Sequence, residues 1–211
     1  MINISTSSQL CIAISALEYE NIKVKLPSSV TINPYIDDQV LLVAASMNGG
    51  NVLDNFIDTL IEWNEQLGLK DIRNETVEQQ KDKIWKKLIS IAESNPNGKC
   101  ELEFIPRLYG ERHDTKTFGS LNNISVGNFK LGKVFNSLCN GLIQNLHDMF
   151  PMDILIKELG CKRIIATGSG IIKNPIVKKQ LELVFNKLPI DYKDSSDSAV
   201  GAALFLKDLI F

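Results

Sequence analysis

Residues 162–185, KRIIATGSGIIKNPIVKKQLELVF, constrain the fold more than any other stretch. A short apolar strand runs into a glycine-bearing turn and then into an amphipathic helix. Another short strand follows, and SDSAVGAAL at 196–204 predicts a last helix packed through small residues. Strand–turn–helix–strand–helix is the pattern of an α/β domain. Asn174 suits an N-cap, and Pro175 suits the first helical position behind it. Glycines in Thr167–Gly168–Ser169–Gly170 let backbone pass close to a nucleotide, because no Cβ stands in the way. Any tight turn needs glycine for the same reason, and the motif is not GxGxxG. A ligand cradle and a plain turn both remain open here.

The rest of the chain agrees with one α/β domain over residues 1–211, with helices covering a mixed sheet. Residues 2–14 alternate apolar and polar around STSSQ, as a pair of short strands does. More strand-like runs lie in 22–46, ending in QVLLVAAS. Gly49-Gly50-Asn51 then opens a helix that stops near Gly68. A second helix is expected from about Asn74 to Ala92, burying Val77, Ile84, Trp85, Leu88 and Ile91. NPNG at 95–98 reads as a turn, ELEFIP as a strand, and Arg107–Ser125 as a long polar loop. A strong helix over about 128–149 carries Leu131, Val134, Phe135, Leu138, Leu142, Ile143, Leu146 and Met149 on one apolar face.

Bulk properties remove several function classes. A net charge of −2 without a Lys/Arg stripe leaves no nucleic-acid footprint. No apolar run reaches the roughly 20 residues of a membrane span. The N-terminus lacks a basic region, so no signal peptide is expected. Cys11, Cys100, Cys139 and Cys161 share no CxxC spacing and read as buried or free thiols of a reducing cytoplasm. His113 and His147 are too separated to suggest a metal site.

Four further constellations carry possible chemistry, each beside a structural explanation. Asn3–Ser8, NISTSS, presents small hydroxyls and backbone donors at a tight turn, which suits terminal phosphates but equally a polar hairpin. Asn48–Asn51, NGGN, with Asp54 one turn later, permits a ligand at a helix N-terminus or simply a strand-to-helix turn. Pro106–Asp114, PRLYGERHD, gathers charged and aromatic residues in a long loop, either functional or held by ion pairs of Glu111 and Arg112. Asp197–Ala203, DSAVGAA, offers a small-residue face for close packing.

The order of these segments (STS, GGN with its helix, PRLYGERH, GSG with Asn174, DSAVGAAL) resembles the C-terminal domain of the FGGY carbohydrate kinases over nearly the whole chain. NISTSSQL, NGGNVL, LYGERH, LCNGLIQNLH and AVGAAL point to the sedoheptulokinase branch. The resemblance implies an actin-like, ribonuclease-H-type ATPase fold, with ATP and Mg²⁺ as cofactors and a ketose as substrate. It implies in-line phosphoryl transfer, giving sedoheptulose 7-phosphate within that branch. Thr6 matches the threonine that meets the terminal phosphates, Gly50 the glycine beside the nucleotide, and Asp54 a polar position. Gly168, Ser169 and Gly170 match the adenosine loop, and Asn174 a polar residue that meets the nucleotide. No catalytic role and no metal ligand carries over onto these 211 residues. Asn136 and Asn140 stand where many members have Arg and Glu.

In the family the general base is an Asp in a Gly-Asp motif upstream of the STS turn. The chain is therefore expected to be an N-terminally truncated, ATP-binding half, inactive alone, with the sugar contacts on a missing N-terminal domain. The sheet is expected to lose the strand that carries that Asp, so that a bared edge invites association. The rival from another class is a short protein that binds a nucleotide or a partner without catalysis.

Overall fold

The structure, a computed structural model, describes residues 1–69, 75–94 and 101–194. The expected NPNG turn, Cys100 and the Asp197–Ala203 segment lie outside the described residues. A six-stranded mixed sheet forms the centre. Strands β1 (Ile2–Ile4) and β2 (Ser8–Ser15) make the expected hairpin, joined through the hydroxyl turn. Their alternation buries Ile2, Ile4, Leu10 and Ile14 in the core. Strand β3 (Val30–Pro34) and strand β4 (Gln39–Ser46) follow. Strand β7 (Ile164–Thr167) and strand β8 (Ile190–Tyr192) complete the sheet in the order β3-β4-β2-β1-β7-β8. The β2, β3 and β4 pairings are antiparallel, whereas β1, β7 and β8 run parallel.

Among the described residues β1 has a neighbour on each side and the sheet ends at β3 and β8. There β2 pairs with β1 only over Ser8–Leu10 and with β4 over its whole length.

Between β2 and β3 lies a helix that strand periodicity did not reveal, α1 (Ala16–Ile22). Its signal is a capping box. The Ser15 hydroxyl accepts from the Glu18 N–H at 3.2 Å, and the Glu18 carboxylate accepts from the Ser15 N–H at 2.8 Å. The Ser15 N–H, then the Ser15 hydroxyl, which also donates to that carboxylate at 2.8 Å, hold the Glu18 carboxyl below its usual range.

Helix α2 (Gly50–Gln66) ends near Gly68, whose φ of +67° gives it the left-handed geometry of a helix stop. Helix α3 (Val77–Glu93) has Thr76 as its cap, and its first residue Val77 faces solvent at 62% exposure; the expected start at Asn74 lies outside the described residues. Helix α4 (Leu131–Met149) buries the expected face from Phe135 to Met149, while Leu131 at its first turn stays 43% exposed. Phe135 stacks on Phe56 and meets Trp85 edge-on, tying α2, α3 and α4 together.

The long loop after residue 107 proves to be the span of a two-stranded arm, β5 (Glu103–Ile105) with β6 (Ser120–Asn122). Gly141 of α4 lets β5 approach, since a Cβ there would lie 2.0 Å from the Phe104 carbonyl oxygen. Asn136 and Asn140 are braces: Asn136 donates to the Ala92 carbonyl and Asn140 to Gln180. After a π-helical turn at Ile154–Glu158, β7 leads into α5 (Ser169–Ile172) and α6 (Pro175–Val184).

Candidate functional site

Two glycine turns grip the hydroxyl turn from either side. Near one, a Cβ at Gly49 would lie 2.5 Å from the Ser7 carbonyl carbon, and one at Gly50 would lie 2.5 Å from the Ser5 oxygen. Near the other, a Cβ at Gly168 would lie 2.2 Å from the Ile4 oxygen and one at Gly170 would lie 3.0 Å from it. Segments about 160 residues apart in sequence therefore converge on residues 4–7. Thr6, Gly50, Gly168, Ser169 and Gly170 come together around one turn.

The two sides differ in what their backbone groups do. At the α2 end, the Gly50 N–H donates to the Ser5 oxygen at 2.7 Å and the Asn51 N–H to the Thr6 oxygen at 3.0 Å. The Gly49 and Val52 N–H groups donate to the Asn51 side-chain oxygen. That helix start is spent on the protein itself, so it is not the open anion seat the sequence suggested. Asp54, one turn further, is exposed and outside this clamp.

At the carboxyl ends of the parallel strands β1 and β7 there is a polar cup of about 320 Å³. Asn3, Ser5, Thr167, Ser169, Lys173 and Asp194 are among its lining. Such strand ends are where open α/β sheets take ligands. The Asn3 side-chain oxygen is buried with no hydrogen-bond partner. It faces Gly168, where a Cβ would come within 2.4 Å of it. Gly168 has φ of +99°, so both its conformation and its contact exclude a side chain. The Ser5, Thr6 and Ser169 side chains are exposed, as is Lys173.

Asn174 is 3% exposed, and its oxygen accepts from the Ile176 and Val177 N–H groups as the cap of α6. In this arrangement it sets the direction of α6.

The Pro106–Asp114 loop lies behind the Gly49–Gly50 turn. Its ion pair is Arg107 with Asp114 at 3.1 Å, not a pair of Glu111 or Arg112. The Thr117 hydroxyl, then the Lys116 N–H, hold the Asp114 carboxyl below its usual range. Glu111 is 2% exposed and bonded to neutral donors. Sequence reading noticed the loop and missed this contact, because its partners are on β4 and α4. Away from the site, burial raises the Cys11 and Cys161 thiols, as suits unreactive cysteines.

The lining mixes donors that suit a phosphate, the hydroxyls and the Lys173 ammonium, with acceptors, the Asn3 oxygen and the Asp194 carboxylate, that call for a ligand hydroxyl or amine; a nucleotide carries both kinds of group. No group of three or more His, Cys, Asp or Glu among the described residues could hold a metal ion. No helix among them is long and apolar enough to cross a membrane.

No family model matches the sequence. Sedoheptulokinases of Mus musculus and Homo sapiens are each 34% identical to it over 207 residues. That alignment covers 98% of this chain and 41% of theirs, so the chain spans about two fifths of the length of these curated relatives. Among solved structures, the xylulose kinase of Rhodospirillum rubrum superposes with a TM-score of 0.69 at 16% identity, covering 96% of this chain and 36% of that one. The gluconate kinase of Lactobacillus acidophilus gives 0.64 at 24%, covering 97% and 37%. The Plasmodium falciparum glycerol kinase, solved with ADP, gives 0.60 at 17%, covering 96% and 36%. In sequence the chain resembles part of the sedoheptulokinases, and in fold it shares the actin-like α/β architecture of the FGGY carbohydrate kinases.

Proposed function

We propose that this chain is the nucleotide-binding part of a carbohydrate kinase that moves the terminal phosphate of ATP onto a ketose, with sedoheptulose the favoured sugar. The observation that carries the reading is the convergence of Ser5, next to Thr6, with Gly168 and Ser169 at a polar cup that holds an unpartnered buried acceptor. The similarity to sedoheptulokinases supports the choice of sugar.

ATP supplies the phosphoryl group, activated by a good leaving group. The Thr6 and Ser5 hydroxyls donate to its terminal phosphates. Gly168 and Gly170 let their loop close onto the Ile4 carbonyl, which sets the wall of the cup against which the nucleotide lies. Lys173 offsets phosphate charge, and the Asn3 oxygen accepts a hydrogen bond from a ligand hydroxyl. Charge on the phosphates would be neutralised by a magnesium ion bound with the nucleotide, since no cluster of described residues would hold that ion by itself. The ketose hydroxyl attacks the terminal phosphorus as the bond to ADP breaks. Its proton goes to a carboxylate outside these 211 residues, so the chain alone binds nucleotide without turnover.

Thermal unfolding with and without ADP and Mg²⁺ tests the reading. At about 100 times Kd a folded binder gains about 2.7 kcal/mol. An unchanged unfolding curve at millimolar nucleotide overturns it. ATP consumption by the chain alone with sedoheptulose would overturn the assignment of the base elsewhere.

A further inference from the structure

The Glu111 carboxylate is almost sealed from water, yet no cation pairs with it among the described residues. Its Oε1 accepts from the Ser46 hydroxyl at 2.5 Å, the Asn145 amide at 2.7 Å and the Asn48 amide at 3.0 Å. Its Oε2 accepts from the Met47 N–H at 3.3 Å. A buried charge satisfied only by neutral dipoles is costly, and it persists only where its donors are held in place around it. Those donors come from the end of β4, the turn behind it and the C-terminal part of α4. Glu111 is the point where three segments are fixed to each other.

Asn48, fully buried, is the residue through which this fixing reaches the site. Its N–H donates to the Ser46 hydroxyl at 3.0 Å and its carbonyl accepts from the Ser8 hydroxyl at 2.5 Å. Its side-chain oxygen accepts from the Tyr109 N–H at 3.1 Å, and its amide donates to the Gly110 carbonyl at 2.9 Å as well as to Glu111. All its polar groups are engaged, so it has one position. Gly49 and Gly50 follow it directly and clamp Ser5 and Thr6 through the Gly50 and Asn51 N–H groups. The Ser8 bond ties the far end of the same turn to Asn48.

We propose that Glu111 is a positioning residue for the phosphate-facing hydroxyl turn, acting through Asn48 and the Gly49–Gly50 clamp. It touches no ligand. It sets where the Thr6 hydroxyl stands, and its bearing on catalysis rests on the nucleotide reading above.

The test compares Glu111→Gln with the wild-type chain in two readouts. Glu111→Gln keeps the size but removes the charge on which the Ser46, Asn48 and Asn145 donors converge, and turns the other oxygen into a donor facing the Met47 N–H. In the absence of ligand, hydrogen exchange at the Gly50 and Asn51 amides is expected to quicken at least tenfold relative to core amides of α4. With ADP and Mg²⁺ as the probe, Kd is expected to rise at least tenfold. Asn136→Ala, which removes a brace between α4 and α3 that involves neither Asn48 nor Glu111, is expected to lower the melting temperature with Kd unchanged. If Glu111→Gln does not fold, Ser46→Ala removes one donor to Glu111 and should move both readouts the same way, by less. Unchanged protection at Gly50 and Asn51 overturns the proposal whether or not nucleotide binds. Wild-type failure to bind ADP, with the protection change present, sinks only the nucleotide reading. Loss of protection with an unchanged Kd overturns the link to the site.

Discussion

The two glycine turns look alike in sequence, yet they face the hydroxyl turn in opposite ways. At Gly49–Gly50 the backbone is extended or helical, and its N–H groups are spent on Ser5, Thr6 and Asn51. The crowding there is protein against protein. At Gly168–Gly170 the first glycine is left-handed, and the loop opens on a cup with an acceptor still waiting for a donor. Both glycine pairs make room for the protein's own turn, Gly49–Gly50 for Ser5 and Ser7 and Gly168–Gly170 for Ile4. Only the partners of the nearby polar groups tell the two apart.

This contrast breaks most readily at the glycines themselves. Gly168→Ala combines a disfavoured φ with a contact against the Ile4 carbonyl. It is expected to cost about 2–4 kcal/mol in urea unfolding. Gly50→Ala meets the Ser5 oxygen without the conformational strain and should cost about 1–3 kcal/mol. A larger loss at Gly50 than at Gly168 would reverse the assignment of strain.

Thr6→Val sharpens the ligand side. The side chain is exposed, so stability should change by no more than about 0.5 kcal/mol. Losing a hydroxyl bond to a charged phosphate should weaken ADP binding about tenfold or more, measured by calorimetry. Unchanged affinity would remove Thr6 from the site.

The smallest effect is acid dependence on the clamp side. The folded Asp114 pKa lies below its ordinary value of 3.8, chiefly through the Thr117 hydroxyl. Its contribution is therefore fully present above that value and lost as pH falls through the lower folded pKa. Asp114→Asn should flatten that part of the acid-unfolding curve. In the wild type the Gly50 amide shift should follow this titration, with Gly168 unmoved. Equal responses at both glycines would show that the turns are not independent.

Much of the local architecture was legible. The alternation of 2–14 wrote a hairpin, and Asn174–Pro175 wrote a helix start. The Ser15–Glu18 capping box was legible too, but the strand pattern around it drew attention away from a short helix. Asn174 shows the limit of local reading. The same side chain suits a cap or a ligand contact, and its burial against Ile176 and Val177 N–H groups places it as a cap. Glu111 was out of reach, because a carboxylate in a charged loop normally seeks water or a cation. Nothing nearby in sequence announces Ser46, Asn48 and Asn145 as its donors.

The sequence by itself determined the elements, their order and the residue types that suit phosphate. These depend on neighbours a few residues apart, through backbone preference, capping and periodic burial. Tertiary structure alone decided that turns at 5–7, 49–50 and 168–170 would meet, that one clamp would be closed and the other left open, and that Glu111 would be buried. Those outcomes depend on which donors and acceptors become partners across the fold, and hydrogen bonds between distant segments exist only once the sheet has brought them within about 3 Å.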